Sequence, residues 1–394
     1  MSMTGFPTDD VVGLVKGALD VERTAMGGAV PVRLPRWAWS QVPDLFTREM
    51  FRMSSGVRLA LKSEATTLEL EAGVTRLRIS DLKEYETKFP IHSSAVDLFV
   101  DGQDHAERQI EHTSERTMSL AGDLLGESEA GSLTLRFDDL PDGDKELEVW
   151  LPAWATVELR ELRANAPVRM SENARAKWIH YGSSISHCAE APRPSQTWPA
   201  VAAQLARVDL INLGVGGSCH LDPFVARAIR DTPAECISLK IGTNIAGGDT
   251  LKYRTFVPAI HGFLDTVRDG HPDIPIVLVS PIICPVLEES PGPVMLDGAE
   301  IRLANEPGIQ YPNALSLRRM REILEETVET RSPGDPHLHY LDGLRLFGEA
   351  DLPDLPDGVH PNPAGYVRIG ERFAELVFGR DGCFAEVTHE PVTS

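Results

Sequence analysis

The sequence predicts a two-domain chain, with an all-β sandwich over residues 1–170 and an α/β domain built on a parallel sheet over residues 171–380. Three observations predict this architecture. The length of 394 residues is more than one domain usually holds. The first half shows period-2 alternation without intervening helices, whereas in the second half buried-strand runs alternate with amphipathic helical patterns. We expect residues 381–394 to form a C-terminal tail.

The elements of the first half are short alternating runs of the kind typical of half-buried strands. They are, in order, Arg58–Lys62, Thr67–Glu71, Arg76–Ile79, Val96–Val100, Ser132–Phe137, Glu146–Trp150 and Thr156–Arg160. Turn clusters such as Asp101-Gly102 separate them, and strands at this spacing predict an antiparallel sandwich. Nothing in the pattern of this half indicates catalysis.

In the second half, buried strands and helices alternate. The predicted strands are Trp178–Tyr181, Asp209–Leu213, Cys236–Ile241, Ile274–Val279 and His339–Leu341. The predicted helices lie around Gln196–Arg207, Arg254–Arg268, Leu315–Thr330 and Ala364–Phe378. This alternation predicts a parallel sheet covered on both faces. Ligands of such sheets bind at the carboxyl ends of the strands, so the loops that follow the strands are the place to search for a site.

Composition and charge exclude several classes of function. The net charge of −21 disfavours a basic face for a phosphate backbone, so we expect no nucleic-acid partner. The longest apolar runs, such as Ile274–Val279, are too short to cross a bilayer, so we expect no membrane partner. The first residues show no signal-peptide pattern, which favours the cytoplasm. The five cysteines lack C-x-x-C spacing, which favours free thiols over disulfides or zinc.

Four loops at the carboxyl edge of the predicted sheet carry the candidate chemistry. They are Gly182–Ser186, Gly214–Ser218, Gly242–Asn244 and Asp357–Pro361. Ser184 starts a helix after a strand, where free N–H groups stabilise negative charge, so it suits a nucleophile; the alternative is an ordinary turn and helix cap. Asp357 can bond the imidazole of His360 and orient it as a base; the alternative is a surface aspartate beside a helix-start histidine.

An acyl-transfer site also needs hydrogen-bond donors for the oxyanion of the tetrahedral intermediate. The backbone N–H of Gly217 can approach a substrate because glycine has no Cβ, and the side-chain amide of Asn244 donates without titrating. Each is also an ordinary turn residue when considered alone. His187 and His220 follow two of the loops and are candidates for the wall of a pocket or for the core.

Together the four loops resemble the signature blocks of the SGNH (GDSL) hydrolase family, over roughly residues 175–380. The resemblance implies an SGNH-type, flavodoxin-like three-layer catalytic domain. It also accommodates the N-terminal sandwich, because some members carry one that resembles a jelly roll or carbohydrate-binding module. By position, it implies Ser184 as nucleophile, His360 as base and Asp357 as its partner. It further implies an oxyanion hole made by the Ser184 N–H, Gly217 and Asn244.

Three positions depart from the family pattern, since common aspartates of the family are replaced here by Ser183, Ser218 and Ile245. None belongs to the catalytic set, but their absence puts a transfer of substrate preference from other members in doubt. We expect Ile245, like His187 and His220, near the pocket. The long segment from Cys284 to Asn313 is predicted to be a lid or specificity wall, with a solvated insertion as the alternative.

These features predict a serine-dependent O-acyltransferase that forms an acyl-Ser184 intermediate and needs neither a metal nor an organic cofactor. The two-domain layout resembles a group of actinobacterial family members from tetracycline-type biosynthesis. That resemblance implies an aryl-CoA thioester as acyl donor and co-substrate, and a hydroxyl of a glycosylated polyketide as acceptor. The alternatives are an O-acyl esterase of carbohydrates or small molecules and a non-enzymatic carbohydrate-binding protein. The sequence makes no prediction of oligomeric state.

Overall fold

The computed structural model describes residues 3–91, 94–171, 175–304 and 313–388. Residues 305–312 of the predicted lid and residues 389–394 of the predicted tail lie outside these ranges. The chain divides into two compact units. The first unit comprises Met1–Lys83, Ile91–Arg175 and Ala191–Thr197, and the second comprises Glu84–Pro90, Ala176–Glu190 and Trp198–Ser394. Each unit therefore includes a short segment from the other half of the chain.

The first unit consists mainly of strands. They are β1 (Thr4–Phe6), β2 (Val15–Lys16), β3 (Asp20–Arg23), β4 (Ala29–Val32), β5 (Arg58–Ser63), β6 (Leu68–Ile79), β7 (Ala95–Val100), β8 (Gln103–Gln109), β9 (Ser114–Met118), β10 (Leu124–Glu127), β11 (Leu133–Phe137), β12 (Lys145–Trp150), β13 (Ala155–Ala164) and β14 (Val168–Met170). Its helices in the described ranges are α1 (Thr8–Val12) and α2 (Leu45–Arg52).

The strands of this unit form a sandwich of two sheets in the part of the chain that the structure describes. One sheet has the order β10-β9-β6-β13-β4-β3, with β1 on β13 and β11 on β6. The other has the order β14-β5-β12-β7-β8, with β2 on β5. The predicted sandwich is confirmed. One pairing differs from the antiparallel expectation, because β6 and β9 run parallel.

The core of the sandwich is made by the apolar positions of both sheets. Along β6, Leu68, Leu70, Ala72 and Val74 are buried, and they share one cluster with residues of β5, β7 and β12. Burying a Leu or Val side chain stabilises a fold by about 1.5–3 kcal/mol, so this alternation determines which face of the strand turns inward. The sequence predicted two strands here, but pairing with β13 continues the strand through Gly73.

The second unit contains the remaining strands and helices. Its strands are β15 (Lys177–Gly182), β16 (Asp209–Gly214), β17 (Cys236–Lys240), β18 (Ile276–Val279), β19 (Val294–Asp297), β20 (Glu300–Leu303) and β21 (Leu338–Leu341). Its helices are α3 (Lys83–Lys88), α4 (Ser184–His187), α5 (Trp198–Ala206), α6 (Pro223–Asp231), α7 (Thr243–Gly248), α8 (Tyr253–Gly270), α9 (Leu317–Arg331) and α10 (Pro363–Phe373), the last continued by a π-helical turn. Helix α3 begins at Lys83, the last residue of the first segment of the first unit. Helix α6 was not predicted.

The sheet of the second unit is parallel, with the order β16-β15-β17-β18-β21. Two residues on opposite faces of β15 show that helices cover both sides of the sheet. Trp178 stacks on Phe373 of α10 at 5.2 Å and packs against Trp198 of α5, whereas Tyr181 stacks on Phe263 of α8 at 5.5 Å. The predicted three-layer α/β arrangement is confirmed.

Two further segments of the second unit bear on the sequence predictions. The described part of the predicted lid contains the hairpin of β19 and β20, and its role as a lid or wall stays a prediction. In the predicted tail, Phe384 is buried and its ring lies edge-on to that of Phe378 at 5.3 Å. Within the described ranges, no helix is both long and apolar enough to cross a membrane.

Candidate active site

Ser184 is the first residue of α4, directly after β15, and is half-buried. The side chain of Ser183 caps the helix by accepting the N–H of Ile185. Gly182 ends the strand, and a Cβ at this position would clash with the side chain of Ser186. The sharp turn from strand to helix therefore needs glycine, and it presents Ser184 at the carboxyl edge of the sheet, as the sequence predicted.

Buried polar side chains hold α4 in place through hydrogen bonds. His180 lies 2.7 Å from Ser186 Oγ through Nε2 and 2.7 Å from Ser238 Oγ through Nδ1. Asn212 donates to the carbonyl of Ser186 at 2.9 Å and accepts the N–H of Gly214 at 2.9 Å. Burial keeps the pKa of His180 well below its usual value, so this ring stays neutral. Leaving such buried groups unbonded is costly, so the network specifies the position of the helix.

Ser184, His360 and Asp357 lie in a hydrogen-bonded row. Ser184 Oγ is 2.8 Å from His360 Nε2, and His360 Nδ1 is 2.7 Å from Asp357 Oδ2. The other carboxylate oxygen of Asp357 accepts the backbone N–H groups of Val359 at 2.8 Å and His360 at 2.6 Å. Gly358 has φ +80°, a conformation that favours glycine and closes this tight loop. The arrangement suits proton transfer from the serine to the histidine.

Two residues that the sequence analysis did not single out also reach this row. The hydroxyl of Tyr85 donates to Asp357 Oδ2 at 2.6 Å and lies 3.3 Å from His360 Nδ1. Glu190 Oε1 lies 3.9 Å from the same nitrogen, and Glu190 Oε2 accepts the hydroxyl of Tyr366 at 2.7 Å. Glu190 follows the serine block closely, and that spacing is a signal that could have found it. No local pattern points to Tyr85.

The protonation of the groups in this row is determined by Asp357, Glu190 and Tyr85. Burial lowers the pKa of His360, but the charges of Glu190 and Asp357 and the hydrogen bond to Asp357 outweigh it and raise the pKa to about 9. Burial raises the pKa of Asp357, yet the His360 charge and the bonds from His360 and Tyr85 hold it well below its usual range. Burial, followed by the charges of Glu190 and Asp357, raises the pKa of Tyr85 far above its usual value. Tyr85 is therefore a donor and Asp357 an acceptor.

Two of the three predicted oxyanion donors, Gly217 and Asn244, follow the strands that flank β15. Asn244 is in the first turn of α7, and its Oδ1 accepts the N–H of Cys219 at 3.1 Å, so the Nδ2 end of the amide is the donor end. Gly242 before it has φ +120°, and a Cβ there would lie 2.8 Å from Pro281. Gly217 has φ +67° and is exposed, as a donor to a substrate must be.

Residues 175–284 match the model of the GDSL-like Lipase/Acylhydrolase family. Part of the second unit therefore resembles a domain of this family. The recognition of this family from the four sequence blocks is confirmed. No curated protein is significantly similar to the chain.

Solved structures resemble the chain, GDSL-like domain and sandwich together. The salicylyl-acyltransferase SsfX3 from a tetracycline biosynthetic pathway has 27% identity and a TM-score of 0.79, with 99% of each chain covered. A GDSL-like lipase from Bacteroides ovatus has 19% identity and a TM-score of 0.67, with 98% of each chain covered. A family two carbohydrate esterase from Clostridium thermocellum has 13% identity and a TM-score of 0.53, covering 83% of this chain and 93% of that one. The last two show the fold alone.

The remaining predicted residues of the GDSL-like domain differ in burial. His187 is fully buried on α4, where its Nδ1 accepts the N–H of Gly216 at 3.3 Å. Ile245 is also fully buried, on α7, and His220 is half-buried. Their role as pocket residues stays a prediction. Among the residues that the structure describes, no cluster of His, Cys, Asp and Glu is arranged to hold a metal ion.

Proposed function

We propose that the protein is a serine O-acyltransferase that moves an acyl group, aryl in the favoured case, from a CoA thioester to a hydroxyl of a glycosylated small molecule. The observation that carries the chemical part of this proposal is the 2.8 Å contact between Ser184 Oγ and His360 Nε2, at the start of a helix and backed by Asp357. A hydroxyl so placed is an activated nucleophile.

In the proposed first step, Ser184 Oγ attacks the thioester carbonyl carbon while His360 Nε2 takes the hydroxyl proton. Asp357 keeps the Nδ1–H tautomer in place, and the oxyanion is held by the N–H groups of Ser184 and Gly217 and by Asn244 Nδ2. The intermediate then collapses: the carbon–sulfur bond breaks, and the thiolate of CoA takes the proton from His360. The products are free CoA and acyl-Ser184.

In the proposed second step, the acceptor hydroxyl gives its proton to His360 as its oxygen attacks the acyl carbon. The bond to Ser184 Oγ breaks, and His360 returns the proton to that oxygen. The reaction forms one ester, leaves the serine as it began, and uses acyl-CoA as co-substrate without any cofactor. With a pKa of about 9, His360 is neutral in about one molecule in a hundred at pH 7, so the rate is expected to rise with pH up to that value.

Support for transfer comes from the likeness to the salicylyl-acyltransferase, which at 27% identity extends over both units of the chain. Hydrolysis of an O-acyl ester is the second candidate function, because the matching family is described as lipase and acylhydrolase. A non-enzymatic carbohydrate-binding role is disfavoured, because every position of the proposed catalytic set is filled. CoA thioesters are cytoplasmic metabolites, and we propose the cytoplasm as the site of action.

A partition experiment tests the proposal. The full chain is incubated with a panel of aryl and alkyl acyl-CoA thioesters, and intact mass detects the acyl adduct on Ser184. Glycosylated aromatic acceptors are then added, and ester and free acid are quantified. We expect ester to form faster than free acid at saturating acceptor. Release of free acid alone would favour the esterase.

Two variants test the proposed roles of His360 and Asp357. His360→Ala and Asp357→Asn should lose at least about a hundredfold in rate, because general base catalysis contributes 10²–10⁴-fold. Near wild-type rates in both variants would contradict the assignment of the triad.

A further inference from the structure

We propose that Tyr85 is a positioning residue of the triad, whose hydroxyl holds the carboxylate of Asp357, and through it His360, in the orientation for proton transfer. This inference rests on the proposed function, since it assumes that His360 acts as the base for Ser184. Tyr85 belongs to the strand-rich half of the sequence, in which no local pattern indicates catalysis. The inference therefore assigns a role in the chemistry to a segment outside the GDSL-like signature blocks.

Asp357 has different hydrogen-bond partners on its two carboxylate oxygens. Its Oδ1 accepts N–H groups of its own loop, from Val359 and His360, and these bonds orient the carboxylate only relative to that loop. Its Oδ2 accepts His360 Nδ1–H at 2.7 Å and the Tyr85 hydroxyl at 2.6 Å. The bond from Tyr85 thus fixes Oδ2, the oxygen that orients the imidazole, relative to helix α3, which lies outside the loop.

The direction of the bond between Tyr85 and Asp357 follows from the donors and acceptors present. An ionised carboxylate only accepts, and His360 Nδ1 already donates its proton to Asp357. The Tyr85 hydroxyl must therefore donate to Oδ2, although it is also 3.3 Å from Nδ1. With Nδ1 protonated, Nε2 is the nitrogen left to accept the proton of Ser184.

Tyr85 is held firmly enough to position another group. The residue is only 5% exposed, and its ring lies 5.1 Å from that of Phe89. The N–H of Phe89 donates to the carbonyl of Tyr85 at 2.7 Å, and this bond closes the backbone turn that carries the two rings. The segment Glu84–Pro90 belongs to the same compact unit as the triad, although the chain on both sides of it belongs to the other unit.

Tyr85 also acts on the charge of the site. Among the described residues, the ionisable groups whose charge or hydrogen bond reaches His360 are Asp357, Glu190 and Tyr85, and Tyr366 is bonded to Glu190. By donating to Asp357, the Tyr85 hydroxyl draws negative charge away from the oxygen that stabilises the imidazolium. Removing the hydroxyl should loosen Asp357 and at the same time make His360 a stronger base, which a role in packing alone would not do.

The test uses Tyr85→Phe in the full chain, which keeps the ring, with Tyr340→Phe as the matched control. The hydroxyl of Tyr340 donates to Ser280 Oγ at 3.1 Å, in the same unit but away from the triad. The probe is an alkyl fluorophosphonate. Ser184 Oγ forms a bond to phosphorus, fluoride leaves, and His360 takes the serine proton, so the adduct reports the nucleophile without knowledge of the natural acyl group. Intact mass follows the adduct with time between pH 6 and pH 10.

We expect Tyr85→Phe to slow labelling roughly tenfold at pH 8 and to move the inflection of the pH profile upward by about half a unit, whereas Tyr340→Phe follows the wild type. Labelling of Tyr85→Phe within twofold of the wild type at every pH would overturn the inference. The inference would also be overturned if Tyr85→Phe labelled more slowly by the same factor at every pH and lost as much melting temperature as Tyr340→Phe. A wild-type protein that does not label at Ser184 would overturn the proposed function itself.

A double-variant cycle provides a second measurement. If Tyr85 acts through Asp357, adding Tyr85→Phe to Asp357→Asn should change the labelling rate by less than about twofold, because the two changes remove one shared interaction. A further tenfold loss in the double variant would overturn the inference, since it would show that Tyr85 acts by another route.

Discussion

Replacing Glu190 by glutamine is expected to move the rise of activity to lower pH. Glu190 Oε1 lies 3.9 Å from His360 Nδ1, and the two side chains are only 13% and 18% exposed. Two unit charges at 4 Å interact by about 1 kcal/mol in bulk water and about 4 kcal/mol at an effective dielectric constant of 20. At about 1.36 kcal/mol per pKa unit, the Glu190 charge raises the pKa of His360 by roughly one to three units.

The direction of the change follows from the charge. The carboxylate of Glu190 stabilises the protonated imidazole, so its removal lets His360 lose the proton at lower pH. The acidic limb of the profile should therefore move from about pH 9 in the wild type down by at least about one unit. Glutamine has the same shape and keeps an oxygen that can accept the hydroxyl of Tyr366, so the fold should be preserved.

The assay is the pH dependence of kcat/KM for hydrolysis of p-nitrophenyl acetate between pH 6 and pH 10, which reports the free enzyme. The matched control is Glu289→Gln, which removes a carboxylate that is paired with Arg318 at the surface. That control should leave the profile in place. A limb that stays at the wild-type pH in Glu190→Gln, or moves upward, would refute the reasoning that Glu190 sets the basicity of His360.

Three further predictions concern the nucleophile, a buried ion pair and the division of the chain. Ser184→Ala should abolish turnover while far-UV circular dichroism and melting temperature stay near wild type; residual turnover above a few per cent would contradict a serine nucleophile. Arg193→Ala should lower the free energy of unfolding by about 3 kcal/mol in urea titrations, because it leaves the fully buried Asp97 without its cation; a loss below about 1 kcal/mol would count against this pair. A fragment of residues 171–394 should be poorly soluble or inactive, because it lacks residues 84–90 of its own compact unit; full activity would show independent modules.

The sequence predicted the regular elements where one face of each is buried. The run Arg58–Lys62 is strand β5, and the helix expected at Arg254–Arg268 is α8, because alternation and helical periodicity are set by residues close in the chain. Helix α6 was missed although proline stands at its first position, a recognised signal of a helix start. Its buried residues Val225, Ala228 and Ile229 also have helical spacing, so this helix could have been predicted from the sequence.

The site shows a similar division. Ser184, Asp357 and His360 stand in short motifs at the ends of elements, so a catalytic role for them could be proposed from the sequence alone. Their proximity could be expected too, because parallel strands place the loops after them on one edge of a sheet. The burial of His187 and Ile245 could not be predicted, since it depends on which side of a short helix packs against the sheet.

The fold class and the chemical character of the four loops follow from the sequence alone, because periodicity and short motifs are local properties. Which other groups act on His360 depends on the tertiary structure. Tyr85 bonds Asp357 across 272 positions of the chain, and Glu190 meets the imidazole through space. Coulomb and hydrogen-bond energies depend on distance and burial, and those are set by the packing of the whole unit.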